Sequence, residues 1–304
     1  MFDVVIVGGG PGGLAAALTL GRARKRTLLL DAGPRRNARA VHIHNFVTRD
    51  GCTPDDFRQL GRQQLTPYPN VEVRDEPALD VTGSRGAFAL RLSTGTVQAR
   101  RVLLCTGMID EPPAIDGLAE RWGHSVYQCP YCHGWEVQDR PWGYLVLPGS
   151  AAHMLPFALQ ARAWTREVTV FTGGAIEIAD DVRAQLAATG MRVEHAPLAR
   201  LHGPSPHLEA VELTDGTTVP CAALFTHPPQ RHVPLVQALG LALDDDGLVK
   251  TDPMRRETSV PGLYAAGDLT TRGQAAIFAA SAAVQAAAMI NMELTMARVL
   301  AGEL

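Results

Sequence analysis

Near the N-terminus, Asp3-Val4-Val5-Ile6-Val7 runs without interruption into Gly8-Gly9-Gly10-Pro11-Gly12-Gly13 and then into an alanine-rich stretch from Leu14 to about Arg24. The β-branched run predicts a strand, Phe2–Val7, buried on both faces, and the stretch after the glycines predicts a helix. Gly8, Gly10 and Gly13 satisfy GxGxxG in that strand–turn–helix setting. Gly8 suits the tight turn, Gly10 lets the backbone approach a pyrophosphate, and Gly13 allows close helix–strand packing. Pro11 and Gly12 complete the loop, and the helix N-terminus offers N–H donors and a favourable dipole to phosphates. A second predicted strand, Thr27–Leu30, ends in Asp31 and Ala32, where a carboxylate can accept hydrogen bonds from ribose hydroxyls. This much predicts a dinucleotide-binding βαβ unit and leaves open whether FAD or NAD fills it.

At 304 residues the chain exceeds one ordinary core, so two domains are expected. A net charge of −3 disfavours a nucleic-acid partner. No run of about twenty apolar residues stands out, so no membrane span is expected. The N-terminus opens on a strand rather than a signal peptide, which makes a cytoplasmic location the expectation. The five cysteines, an odd number, do not suit a secreted disulfide framework.

Two of them form Cys129-Pro130-Tyr131-Cys132, followed by His133 and Gly134. That spacing serves structural zinc, iron–sulfur clusters and thiol–disulfide exchange alike. No second CxxC follows, and Cys52, Cys105 and Cys221 are scattered. Beside a redox cofactor the economical reading is a dithiol/disulfide couple, with a metal site as the alternative; no metal ligands are assigned.

Further along, Thr258-Ser259-Val260-Pro261-Gly262-Leu263-Tyr264-Ala265-Ala266-Gly267-Asp268 resembles the second FAD fingerprint of the two-dinucleotide-binding-domain flavoproteins, and Val102–Gly107 the short turn that closes their FAD lobe. With Asn45-Phe46 before the CxxC and Gln274-Ala275 opening a last alanine-rich helix, the order of motifs resembles the low-molecular-weight thioredoxin reductases over essentially the whole chain. That resemblance implies an α/β fold of two Rossmann-like, three-layer dinucleotide-binding domains. The FAD domain would be discontinuous, 1–112 and 249–304, and 113–248 would be an NADPH-domain-like insert carrying the cysteines. It also implies FAD contacts at Asn45, Thr106, Gly107, Gly267, Asp268, Gln274 and Ala275, a last helix to about Met292 near the flavin, and a homodimer.

Two departures redirect the function. The predicted strand Tyr144–Leu147 is followed by Pro148-Gly149-Ser150-Ala151-Ala152, with Pro148 and Ser150 where an NADPH site needs its first two glycines. Pro156 is expected to kink or delay the next helix, and the strand Glu167–Phe171 ends in Thr172-Gly173-Gly174 without the arginine pair of NADPH-dependent relatives. This nucleotide site is therefore expected to be degenerate. His133 stands where the reductases carry an aspartate, and CxxCH resembles the gliotoxin- and holomycin-type dithiol oxidases. The imidazole would accept a thiol proton near neutral pH and, as a cation, lower a neighbouring thiol's pKa.

The expected function is an FAD-dependent dithiol oxidase with Cys129, Cys132 and His133 as catalytic residues. Its substrate would be a small dithiol or a protein thiol, and O2 its acceptor. The alternatives are a thioredoxin-reductase-like disulfide reductase fed by NADPH or ferredoxin, and an idle flavin-bound sensor. Tyr131 and Trp135 are read as possible walls of an apolar pocket, His42 and His44 as loop residues near the flavin, Arg35 and Arg36 as a solvated basic pair, and Cys105 as a buried, inert thiol.

Overall fold

The computed structural model describes residues 1–148, 154–174 and 176–302. The chain divides into two compact units, Met1–Ala38 with Cys52–Ile109 and Arg231–Leu304, and Arg39–Gly51 with Asp110–Gln230. It passes between them at β7 (Ile109–Asp110) and β16 (Gln230–Arg231), and along the segment 39–51.

In the first unit β1 (Phe2–Val7) leads into α1 (Pro11–Arg22), which starts earlier than the apolar periodicity suggests because Pro11 at its first position already has a helical φ. β2 (Thr27–Leu30), α2 (Pro54–Gln63), β3 (Val71–Arg74), β4 (Asp80–Ser84), β5 (Ala87–Leu92) and β6 (Gly95–Leu104) follow, and α7 (Pro234–Ala238), β17 (Leu263–Ala265) and α8 (Ala276–Leu300) complete the unit. β3, β2, β1, β6 and β17 are parallel neighbours in that order, while β4 and β5 form an antiparallel hairpin on the first half of β6. Side chains alternate along β1 as a pleat requires. Val4 and Ile6 pack with α1 and α8 through Leu14, Leu20, Ala283 and Ile290, and Val5 and Val7 with Phe88, Val102 and Leu263.

The second boundary differs from the expectation. Leu235, Val236, Leu241, Leu248 and Val249 belong to the same core cluster as Phe2 and Val102, so the insert ends at Gln230 rather than at 248 and begins at Asp110 rather than at 113. The apolar-run reading also needs correction. α8 is long and apolar enough to cross a membrane by length and composition, having no charge between Arg272 and Glu293. Ala280, Ala283, Ala286, Ala287, Ile290 and Leu294 are its buried face, and Ala283 closes on α1 near Gly12.

The second unit contains α3 (Leu118–Arg121), β8 (Val126–Tyr127), α4 (Pro130–His133), β9 (Trp142–Leu145), α5 (Met154–Ala161), β10 (Val168–Phe171), α6 (Asp180–Ala188), β11 (Arg192–Glu194), β12 (Leu198–His202), β13 (Ala210–Leu213), β14 (Thr218–Pro220) and β15 (Ala223–Thr226). Its parallel sheet has the order β11-β10-β9-β15-β8, and β12, β13 and β14 form a separate antiparallel sheet. β9 begins at Trp142, before the expected Tyr144, because Trp142 is in register with both Val168 and Ala223. Pro156 falls in the first described turn of α5, and the helix continues to Ala161.

Candidate nucleotide crevice and redox centre

The parallel strands of the first unit deliver their carboxyl ends to one edge, which is where such sheets bind nucleotides. Gly8 has φ +116°, and a Cβ there would lie 2.2 Å from the Cys105 carbonyl oxygen at the end of β6. A Cβ on Gly13 would lie 1.8 Å from the Gly8 carbonyl oxygen, so only glycine lets α1 begin this close to the turn. At Gly10 a Cβ would meet nothing within 4 Å: this is the open face of the loop, and Gly10 caps α1 with no side-chain acceptor. Bare N–H groups around open space, at a helix start with Pro11, Gly12 and Gly13, form a cradle that fits a dinucleotide pyrophosphate.

The other expected contacts of this unit line the same edge. Thr106 and Gly107 (φ +65°) follow β6, and Gly267 and Asp268 follow β17. Gln274 Nε2 donates to the Asp268 carbonyl at 3.1 Å, and Ala275 caps α8. Asp268 is ion-paired with Arg36 at 2.9 Å, and Arg35 pairs with Asp55, so these arginines are not the solvated pair expected. Cys105 is only partly buried rather than fully buried as expected, yet it packs against the core of the first unit, and desolvation pushes its thiol up to about 12.

Asp31 is more committed than its position in sequence suggests, and Ala32 beside it is exposed. One carboxylate oxygen accepts the Gly33 N–H at 3.0 Å, and the other accepts Arg58 Nε at 2.7 Å and Arg62 Nη2 at 3.1 Å. Burial pushes its pKa up, but the Gly33 amide and the two guanidiniums outweigh that and hold it below the usual carboxylate range. Sequence reasoning passed over Arg58 and Arg62. The available signal was their one-turn spacing on a helix announced by its cap, Thr53, whose hydroxyl accepts the Asp56 N–H at 3.0 Å.

In the second unit Cys129 and Cys132 are joined as a disulfide with Cα atoms 5.3 Å apart. Cys129 is the N-cap of α4, and its sulfur accepts the Cys132 N–H at 3.1 Å, an arrangement that favours a thiolate on Cys129 after reduction. His133 ends the turn with its ring stacked on Tyr127, centroids 4.4 Å apart. Neither ring nitrogen has a hydrogen-bond partner among the described residues. Burial, then the neighbouring His44, lower its pKa to about 4, tempered by the nearby Cys129 backbone. A pKa that low favours the neutral imidazole at neutral pH, against the expectation of a resident cation and of a base matched to neutral pH.

Tyr131 and Trp135 remain 63% and 72% exposed, so they line an open surface rather than wall a pocket. Tyr131 is held by Gln160, whose Nε2 donates to its hydroxyl at 2.8 Å. Asn45 and His44 fall within this unit. Asn45 Nδ2 donates to the carbonyl of Tyr131 at 2.6 Å, and His44 lies between Asp50 and Glu136. Neither sequence spacing nor periodicity signals that juxtaposition.

Of the second nucleotide turn, Gly149, Ser150, Ala151 and Ala152 lie outside the described residues. Around it, Thr172 at the end of β10 is buried with its hydroxyl 3.2 Å from His195 Nδ1. Tyr144 stacks on Phe157 at 4.2 Å, and His227 stands edge-on to both.

The profile of the pyridine nucleotide-disulphide oxidoreductase family matches residues 2–287. Thioredoxin reductase sirT of Leptosphaeria maculans is 32% identical over 96% of this chain and 94% of its own length. A probable thioredoxin reductase of Arthroderma benhamiae is 30% identical over 98% and 81%. Among solved structures, an oxidoreductase from Agrobacterium tumefaciens has a TM-score of 0.90 at 37% identity, over 97% of this chain and 99% of that one. HlmI has a TM-score of 0.91 at 36% identity, over 99% and 95%. With a glycine cradle in one unit and a CxxC disulfide in the other, the chain belongs to the pyridine nucleotide-disulphide oxidoreductase family, as a thioredoxin-reductase-like disulfide oxidoreductase that binds FAD.

Proposed function

We propose that this chain is an FAD-dependent dithiol oxidase that closes a disulfide in a small-molecule or protein dithiol and delivers the electrons to O2. The observation that carries the reading is the His133 imidazole directly after the Cys129–Cys132 disulfide, its ring nitrogens shielded from solvent and without a hydrogen-bond partner among the described residues. Pro148 and Ser150 at the places of the first two motif glycines, and the arginine-free Thr172-Gly173-Gly174, support it, because an NADPH pyrophosphate would lose the close approach those glycines allow and a 2′-phosphate would find no guanidinium in that run.

A substrate thiolate attacks Cys129 Sγ; the Cys129–Cys132 bond breaks, and Cys132 leaves with the electron pair and takes a proton by way of His133. The second substrate thiolate then attacks the substrate sulfur of the mixed disulfide. Cys129 leaves as a thiolate received by the Cys132 N–H, and the product disulfide departs. The substrate has lost two electrons and two protons; the enzyme has gained both electrons and, on Cys132, one proton, and the other proton goes to solvent. The Gly8–Gly13 loop would hold the cofactor pyrophosphate, Asp31 the adenosine ribose, and the Asp268–Gln274 turn the ribitol side. Bound FAD supplies a two-electron acceptor for the enzyme dithiol and a route to O2, which leaves as hydrogen peroxide. A homodimer fits this reading, since α8 leaves Val284, Met292, Met296 and Val299 exposed along one side.

A reductase driven by NADPH is the second reading, favoured by the names of the relatives. Anaerobic mixing of the yellow enzyme with NADPH or with dithiothreitol separates the two. Bleaching by dithiol alone, with recovery and peroxide release in air, is the expected result; stoichiometric bleaching by NADPH would overturn it. Cys132→Ser is expected to keep FAD and lose dithiol-driven bleaching.

A further inference from the structure

We propose that Arg58 and Arg62 dictate how this chain holds the adenosine ribose of FAD: by filling one oxygen of Asp31 they leave a single acceptor, Oδ1, for one ribose hydroxyl rather than the pair. The proposal rests on the assignment of the ribose to Asp31 made above and not on the oxidase chemistry.

An ionised carboxylate offers about four acceptor positions, two on each oxygen. On Asp31 three of them are already taken. Oδ2 receives Arg58 through both Nε and Nη2 at 2.7 Å and Arg62 Nη2 at 3.1 Å, and Oδ1 receives the Gly33 N–H at 3.0 Å. The glycine turn shuts in the same oxygen, since a Cβ on Gly9 would lie 2.1 Å from Asp31 Oδ2. Gly9 stands between the first two glycines of the fingerprint, at a position the motif leaves free. Here the carboxylate occupies the space a side chain would need. The position left to a ligand is the second one on Oδ1, and beside it Gly33 faces open space, with nothing within 4 Å of where its Cβ would be.

The arginines are held in place from behind. They lie one turn apart on α2, so both reach Asp31 from one face of the helix. Asp75, just past β3, takes Arg58 Nη2 at 3.2 Å and Arg62 Nη1 at 3.1 Å, with a further contact to Arg62 Nη2. Neither guanidinium can swing out to free Oδ2 without also giving up Asp75. The other charges around Asp31 are spoken for. Arg74 of β3 accepts the Asp31 N–H on its carbonyl and pairs through its guanidinium with Glu72. Arg35 pairs with Asp55 in the first turn of α2, Arg36 pairs with Asp268, and the Gly8–Gly13 turn carries no charge. With both guanidiniums removed, the buried carboxyl would keep only the Gly33 amide to offset its desolvation.

Two assays test the proposal on the full-length chain freed of FAD and titrated by flavin fluorescence. In the first, wild type is offered FAD and two FAD analogues that lack the adenosine 2′- or 3′-hydroxyl. One analogue should bind about tenfold more weakly and the other within about twofold of FAD. Comparable losses for both would overturn the proposal by showing that both hydroxyls are held. No loss for either would overturn it together with the ribose assignment of Asp31.

The second assay follows FAD affinity from pH 5 to 8 in wild type and in Arg58→Met/Arg62→Met, with and without Asp31→Asn. Wild type should be level. The double variant should bind about tenfold or more weakly at pH 5 and recover as pH rises, because its buried carboxyl then ionises within this range and becomes the better acceptor. Adding Asp31→Asn should level that profile, which separates Asp31 from the exposed Asp75 as the group that titrates. Equal weakening at every pH would overturn the positioning role and leave the arginines as supports of α2. If the double variant does not fold, as judged by circular dichroism, the two analogues on wild type decide alone. Neither assay involves a dithiol, so a failure of the oxidase reading would leave both results standing.

Discussion

At the carboxyl end of β1, Gly8 to Gly13 turn straight into α1, and at the end of the adjacent β2 a buried Asp31 is held by Arg58 and Arg62. At the carboxyl end of β9, Pro148 stands in the corresponding place, and the adjacent β10 ends in a buried Thr172 that meets His195. Both units build a parallel sheet with a central strand flanked on each side, so strand order alone creates a crevice in each. They differ in the residues at their strand ends. The first offers bare backbone donors and a carboxylate; in the second, Pro148 follows β9, and Tyr144 of that strand packs with Phe157 and His227. Fold makes room for a nucleotide, and turn chemistry decides whether one is bound.

The sharpest way to break this contrast is Gly13→Ala. A Cβ 1.8 Å from the Gly8 carbonyl forces turn and helix apart, and the protein should purify colourless. An increase in FAD Kd of about a hundredfold or more, about 2.7 kcal/mol, is expected by fluorescence titration. Retention of FAD would show that the first crevice does not depend on its glycines.

His133→Asn should slow dithiol-driven bleaching by about a hundredfold. In wild type the acid limb of the rate should lie near pH 4, activity being present above it, where the imidazole is free to accept a proton, and lost below it. The variant should lack that limb. A wild-type limb near 6.5 would mean that burial does not depress this imidazole.

A smaller effect is expected of Asp31→Asn, which leaves Arg58 and Arg62 with Asp75 alone; FAD affinity should fall about tenfold. Because the folded Asp31 pKa is lowered, its contribution to stability is present above 3.8 and lost as pH falls through the lower, folded value. Acid denaturation followed by circular dichroism should show that component in wild type and not in the variant. The least effect is expected of Pro148→Gly: one glycine does not rebuild the second crevice, and the rate of bleaching by NADPH should change by less than about twofold.

Much of the first crevice was legible in the chain because its parts are local. A strand, a glycine turn and a helix cap follow one another within twenty or so residues, and each has its own signature. The CxxC turn was legible for the same reason. Arg58 and Arg62 escaped because nothing in α2 itself says which carboxylate it meets; the partner lies across the fold on β2. The insert boundary escaped as well, since Leu235 to Val249 read as an ordinary apolar stretch and only packing against Phe2 and Val102 assigns them to the first unit.

The clearest division concerns the histidines and Asn45. The sequence by itself determined that a disulfide couple would carry an imidazole next door, because Cys132 and His133 are covalent neighbours. Whether that imidazole is charged was decided by tertiary structure, since desolvation under Tyr127 depends on what packs above it. Tertiary structure also carried the loop 39–51 out of the first unit, putting His44 and Asn45 beside cysteines more than eighty residues away. Local signatures report what the backbone can do on its own; which long-range partner fills a side chain's hydrogen bonds is set only when the chain closes.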